Sequence, residues 1–150
     1  ACRERGFRIC VHAGEEGPAA YVHEAVELNV DRIDHGNAAI HDPDLMQTLV
    51  EKRIPLTMCP ISNLRLNVVK NLSEHPLKQM LSRGLCVTIN SDDPAYFLGY
   101  ASDNWAAVHQ ALNLTTNEIF QLAINGIDAS FLPKEQKEKW RNQIKTALYS

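Results

Sequence analysis

Short apolar stretches rich in β-branched residues alternate along the chain with longer segments whose apolar residues recur every three or four positions. The short stretches predict four strands, at residues 7–11, 32–34, 55–59 and 85–89. Amphipathic helices are predicted between them, each opened by a proline that favours the first helical turn, at residues 18–28, 43–52 and 76–83. The pattern therefore predicts a regular alternation of strand and helix.

The order of these elements indicates the fold class. Strands that alternate with helices pair in parallel through right-handed crossovers, which is the α/β class. After the fourth strand the pattern is wholly helical, with helices predicted at residues 101–112, 117–124 and 133–148. A closed (β/α)8 barrel needs about 250 residues, whereas this chain has 150. Residues 1–150 are therefore expected to be a partial domain, half of such a barrel, with a small open parallel sheet as the alternative.

Composition and charge exclude several classes of partner. The chain has 45% hydrophobic and 22% charged residues, a balance typical of a globular protein. A net charge of −3 gives no electrostatic reason to expect nucleic acid or a membrane surface as partner. The sequence contains no run of about 18 apolar residues that could cross a bilayer. A small-molecule ligand is therefore expected, and the oligomeric state stays unknown.

The four cysteines do not form a C-x-x-C motif, which disfavours a structural zinc site. Three of them lie in or beside predicted strands and are expected to be buried: Cys10, Cys59 and Cys86. Buried free thiols are typical of a reducing compartment. Together with the lack of a recognisable signal peptide at the start of this sequence, they favour a cytoplasmic location.

Every predicted strand is followed by polar residues that a hydrophobic core would not select. The motifs are, in chain order, His12-Ala13-Gly14-Glu15, Asp34-His35-Gly36, Cys59-Pro60-Ile61-Ser62-Asn63 and Asn90-Ser91-Asp92-Asp93-Pro94. In a (β/α)8 barrel, the carboxyl ends of the strands converge on the active site. Imidazoles and carboxylates gathered in one place are typical of metal ligands or acid–base groups.

These four motifs, in this order and at these spacings, resemble those of the C-terminal half of adenosine and adenine deaminases, over residues 7–126. The resemblance implies a (β/α)8 barrel of which this chain carries strands 5–8, followed by C-terminal helices. The residues that follow Glu15 and Asp93 look more like the adenine branch than the adenosine branch. The implied reaction of the full-length protein is zinc-dependent hydrolysis of adenine to hypoxanthine and ammonia, in purine salvage. Adenosine and N6-substituted adenines remain alternative substrates.

The same resemblance assigns a role to each motif residue. His12 and Asp92 would be ligands of one zinc ion per subunit. Glu15 would donate a proton to N1 of the purine. His35 would orient the attacking water and shuttle its proton, and Asp93 would hydrogen-bond N7 of the purine.

One part of the family's pattern is missing from these residues. A His-x-His pair completes the zinc site in the family, and this chain contains none. Catalytic zinc normally has three or more protein ligands. The remaining zinc ligands are therefore expected outside this chain, and the chain alone is expected to be inactive and poorly folded.

Other residues receive weaker assignments. Ser91 and Asn63 are candidates to support the aspartate pair or the metal ligand by hydrogen bonds. Tyr96 and Phe97 either wall a pocket for a free base or simply pack the helix that follows the strand. Arg32 either faces away from the site or pairs with a carboxylate. The histidines outside the motifs are expected in solvent: His23, His41, His75 and His109.

Two other functions remain open. One is a barrel hydrolase with a single metal ion that acts on a different amidine. The other is a truncated, non-catalytic remnant that binds purine or pairs with a partner. The joint presence of Glu15, His35, Asp92 and Asp93 disfavours the remnant, because a binding module needs neither an acid nor a metal-bound carboxylate. Zinc deaminases of the cytidine and tRNA-editing kind are excluded, since their H-x-E and P-C-x-x-C motifs are absent from the sequence.

Overall fold

The computed structural model describes residues 1–149, with side chains described as far as Ala147. Within this range the strands form one four-stranded sheet in the order β1-β2-β3-β4, and every neighbouring pair is parallel. The strands are β1 (Cys10–Ala13), β2 (Arg32–His35), β3 (Leu56–Met58) and β4 (Val87–Ile89). The predicted α/β class with parallel pairing is confirmed.

Helices connect the strands and then continue beyond β4. The connections contain α1 (Ala19–Glu27), a 3₁₀ helix (Asn37–His41), α2 (Pro43–Lys52), α3 (Pro60–Arg65) and α4 (Leu77–Ser82). The helices after the sheet are α5 (Pro94–Phe97), α6 (Ala101–Leu112), α7 (Thr116–Ala129) and α8 (Lys134–Tyr149). The short helices α3 and α5, which begin at the prolines of the third and fourth motifs, were not given bounds by the sequence analysis.

The predicted first strand was placed too early in the chain. Residues 7–11 carry the apolar pattern, but β1 spans Cys10–Ala13 and therefore includes His12. The backbone N–H of Ile9 donates to the Asp31 carboxylate at 2.8 Å instead of joining the sheet. Phe7 is 62% exposed, so its apolar side chain does not contribute to the core.

Residues paired in register give the sheet one apolar and one polar face. Ile33 pairs with Leu56, which pairs with Val87, and all three are fully buried against the helices. On the opposite face, Asp34 pairs with Thr57, whose hydroxyl donates to the Asp34 carboxylate at 2.8 Å. The apolar face fixes the sheet against its helices, so the strand ends are rigidly placed.

The edge position of β1 explains one wrong prediction. Cys10 is exposed, whereas Cys59 and Cys86 are buried as expected. Strand β1 has a neighbour on one side only, and its residue pattern is largely exposed.

Within residues 1–149, no helix is both long enough and apolar enough to span a membrane.

Candidate active site

The carboxyl ends of the strands bring together four of the side chains singled out from the motifs. In His35, Nδ1 lies 3.2 Å from Oε1 of Glu15, and Nε2 lies 3.9 Å from Oδ2 of Asp92. In His12, Nε2 lies 3.3 Å from Oε2 of Glu15, and the ring centroid lies 4.4 Å from that of His35. Two imidazoles and two carboxylates from the ends of three strands therefore converge on one place.

These four side chains differ in their exposure to solvent. The side chains of Glu15 and His35 are each 4% exposed, whereas those of His12 and Asp92 are 63% and 25% exposed. Burial lowers the pKa of His35, although the Glu15 carboxylate beside it opposes that shift. The site thus has a buried acid–imidazole pair at its base and two more accessible groups above it.

Tight backbone turns follow the motif histidines. Gly14 has a φ of +68°, and a Cβ at this position would lie 2.4 Å from Cγ2 of Val22. Gly36 has a φ of +77°, and its Cβ would lie 2.8 Å from Cδ2 of Leu56. Only glycine combines this conformation with so close an approach to a neighbouring side chain. His35 and Asp92 also adopt positive φ, at 69° and 58°, a conformation that costs a non-glycine residue of order 1 kcal/mol or more.

The start of α3 supplies two buried groups that hold the carboxylates. The hydroxyl of Ser62 donates to Oδ2 of Asp92 at 2.7 Å. The side-chain amide of Asn63 donates to Oε1 of Glu15, also at 2.7 Å. Both residues are fully buried. Among residues 1–149, Ser91 shows no such side-chain hydrogen bond, so Ser62, one of the motif residues, takes the supporting role that was expected of Ser91.

His75 contradicts its sequence-based assignment. It is 3% exposed rather than solvated, and its Nε2 lies 3.0 Å from Oδ1 of Asn63. Burial lowers its pKa to about 4. Because His75 lies in the connection before α4, far along the chain from any strand end, no motif or spacing marks it. The other three histidines are exposed, as expected: His23, His41 and His109.

The fourth motif continues into an exposed segment. Asp93 is exposed, and within the described residues its carboxylate makes no hydrogen bond or ion pair. Tyr96 is 79% exposed, while Phe97 is 7% exposed and meets the Tyr96 ring edge-on at 4.9 Å. With Asp93, these rings line an open hollow. The roles of Asp93 at N7 and of the two rings as a pocket wall therefore stay predictions.

Arg32 takes the second of its two expected arrangements. Its Nε lies 3.6 Å from Oδ1 of Asp34, and its guanidinium lies 4.6 Å from the centroid of the Phe131 ring. Arg32 therefore pairs with the carboxylate of Asp34.

The donor atoms of the site suit a divalent metal ion. Ligand atoms of His12, Glu15 and His35 lie within 4.8 Å of one another, as do those of His35, Cys59 and Asp92. The Nδ1 atom of His35 is buried without a hydrogen-bond partner of proper geometry. Cys59 is a poor ligand, since burial and the nearby carboxylates raise the pKa of its thiol to about 12. The remaining imidazole and carboxylate donors are those that zinc accepts.

Comparisons with known proteins identify relatives of this chain. The adenine deaminase of Rhodopseudomonas palustris is 58% identical over 145 residues, which make up 96% of this chain and 42% of that protein. The crystal structure of adenine deaminase from Arthrobacter aurescens is 44% identical with a TM-score of 0.95, and the match covers 99% of this chain and 46% of that one.

A second solved structure, an amidohydrolase from Burkholderia ambifaria with bound Zn, is 31% identical with a TM-score of 0.89 and covers 98% of this chain and 42% of that one. The chain thus spans less than half the length of the relatives it matches. The family profile described as Adenosine deaminase matches residues 1–147. From this match and the convergent strand-end motifs, we conclude that the chain belongs to the adenosine deaminase family.

Proposed function

We propose that the full-length protein hydrolyses adenine to hypoxanthine and ammonia with the help of zinc, as a step of purine salvage. The observation that carries this proposal is the buried carboxyl of Glu15, held between the imidazole of His35 and the amide of Asn63. The adenine deaminases at 58% and 44% identity support adenine as the substrate. The small-molecule purine is the proposed partner.

Each motif residue has a proposed part in this reaction. Glu15 lies in a site shielded from water and would pass a proton to N1 of the ring. Protonation at N1 makes C6 electrophilic, so that water adds there and ammonia leaves. His35 orients that water and carries its proton, while Asp93 hydrogen-bonds the purine at N7.

His12 and Asp92 would hold the metal together with ligands from the rest of the protein. Zinc, when bound, supplies activation of water at neutral pH. The hydroxyl of Ser62 donates to Oδ2 of Asp92 at 2.7 Å and would orient that carboxylate as a ligand. The relative that contains Zn supports zinc as the metal.

The test is ammonia release by the zinc-loaded full-length protein, offered adenine, adenosine and N6-methyladenine in parallel. We expect release from adenine and little from the other two substrates. Release from adenosine or N6-methyladenine instead would keep the deaminase chemistry but contradict the substrate. No ammonia release from any of the three compounds would contradict the proposal and favour a non-catalytic purine-binding protein.

A further inference from the structure

Asn63 makes three hydrogen bonds that no proposed catalytic role uses. Its Nδ2 donates to Oε1 of Glu15 at 2.7 Å. Its Oδ1 accepts from Nδ2 of Asn37 at 2.9 Å and lies 3.0 Å from Nε2 of His75. All four residues are at most 7% exposed, so water cannot easily replace any of these partners.

The contacts of His75 determine which of its ring nitrogens carries the proton. The backbone N–H of Leu77 donates to Nδ1 of His75 at 3.2 Å, so Nδ1 is an acceptor. The ring is neutral, because burial lowers its pKa to about 4. The single ring proton therefore sits on Nε2, which donates to Oδ1 of Asn63.

Two donors on one oxygen fix the direction of the Asn63 amide. If the amide turned by half a rotation, its NH₂ group would face the donors of Asn37 and His75, and its oxygen would face the Glu15 carboxyl. Such an arrangement would leave the Nε2–H of His75 buried and facing an NH₂ group, without an acceptor, which destabilises it. The amide is therefore held with its NH₂ group toward Glu15.

We propose that His75 is a positioning residue for Glu15, acting through Asn63 to set the direction in which the Glu15 carboxyl points. The inference rests on the proposed function, in which Glu15 is the proton donor. Oε1 of Glu15 already accepts from Asn63 and has the Ser62 hydroxyl at 3.5 Å. The other oxygen, Oε2, lies 3.3 Å from Nε2 of His12 and would be the one that carries the proton to the substrate.

Two substitutions in the full-length protein separate positioning from folding. The amide nitrogen of glutamine can reach the position of Nε2, so His75→Gln keeps the donor to Asn63. The amide of asparagine reaches only the position of Nδ1, so His75→Asn loses that donor while remaining neutral and polar. His109→Asn, at an exposed histidine, is the matched control.

On adenine, we expect His75→Asn to lower kcat about 10-fold to 100-fold with KM changed less than about threefold, because a misdirected proton donor affects the chemical step more than binding. His75→Gln should keep most of the wild-type kcat, and both variants should unfold at similar urea concentrations. Wild-type kcat in His75→Asn, or an equal loss of kcat in the two variants, would overturn the inference.

A second measurement does not depend on activity. In full-length protein labelled with ¹⁵N-asparagine, the side-chain amide protons of Asn63 report the hydrogen bond to Glu15. We expect their NMR signals to shift in His75→Asn and to stay near the wild-type positions in His75→Gln. Unchanged signals in His75→Asn would overturn the inference. If the wild type releases no ammonia from any purine, the proposed function fails, and these signals still decide whether His75 positions Asn63.

Discussion

The hydroxyl of Ser62 lies 2.7 Å from Oδ2 of Asp92 and 3.5 Å from Oε1 of Glu15, so one buried group touches both carboxylates of the site. A hydroxyl has a single proton to donate, and the shorter distance assigns it to Asp92. The two carboxylates therefore differ in environment: Asp92 is partly exposed with its own donor, and Glu15 is buried. Such a difference suits the two roles proposed for them, a metal ligand for Asp92 and a proton donor for Glu15.

Removing the Ser62 hydroxyl tests its role at the metal. In the full-length protein, Ser62→Ala should lower zinc affinity about 10-fold to 100-fold, because the proposed ligand Asp92 loses the hydrogen bond that orients it. Zinc affinity is measured by competition with a chelator. Ser82→Ala is the control, since that exposed hydroxyl bonds only a nearby carbonyl in α4. Equal affinity in the two variants would contradict the role given to Ser62.

Replacing the proposed proton donor separates catalysis from metal binding. Glu15→Gln preserves the size of the side chain but removes the transferable proton, so kcat should fall about 100-fold to 10,000-fold. Zinc content, measured on the same preparation, should stay at the wild-type level. Glu24→Gln, on the exposed face of α1, should leave both quantities unchanged. Near-normal turnover in Glu15→Gln would rule out Glu15 as the donor.

The glycine turn after β1 is expected to be intolerant of any side chain. Gly14→Ala adds a methyl group 2.4 Å from Cγ2 of Val22, whereas Gly6→Ala, at a similar φ of +80°, meets no atom within 4 Å. Both variants strain the backbone, but only the first crowds the core. Gly14→Ala should therefore lower the free energy of unfolding by about 1–3 kcal/mol more than Gly6→Ala. Urea unfolding of the full-length variants measures this difference, and equal midpoints would contradict it.

The buried His75 predicts a pH-dependent stability. Its pKa falls from 6.5 to about 4 on folding, so the unfolded chain binds more protons between these two values. Stability is therefore undiminished above pH 6.5 and decreases as the pH falls toward 4, by on the order of 2 kcal/mol between pH 7.5 and pH 5. His75→Gln cannot titrate and should lose less stability over this interval. Parallel slopes for the wild type and this variant would show that His75 does not contribute.

The sequence predicts those features that neighbouring residues determine. Apolar spacing located the sheet and most helices, and polar strand ends located Glu15, His35 and Asp92. The apolar spacing misplaced β1, because the Asp31 carboxylate, just before β2, accepts a hydrogen bond from the N–H of Ile9. That bond joins residues far apart in sequence, and no local pattern reports it.

The partners of the supporting residues were not predicted, for the same reason: Asn63 was expected to support the aspartate pair or the metal ligand, but it bonds Glu15. Asn63 and Glu15 are 48 residues apart in the chain, and His75 reaches Asn63 from a connection without a motif. Only packing shows that these residues meet. The residues next to His75 do not distinguish it from a solvent-exposed histidine. Its burial depends on helices and strands that lie elsewhere in the sequence.

The register of the sheet has a consequence for insertions and deletions. Ala13 pairs with His35, and Asp34 pairs with Thr57. Because alternate residues face opposite sides, deleting one residue inside β2 would exchange the sides of Ile33 and Asp34. A deletion in a connection between strands leaves both residues in place. In related proteins, the connections can therefore vary in length and so change the surroundings of the site. The strands can change only by substitution.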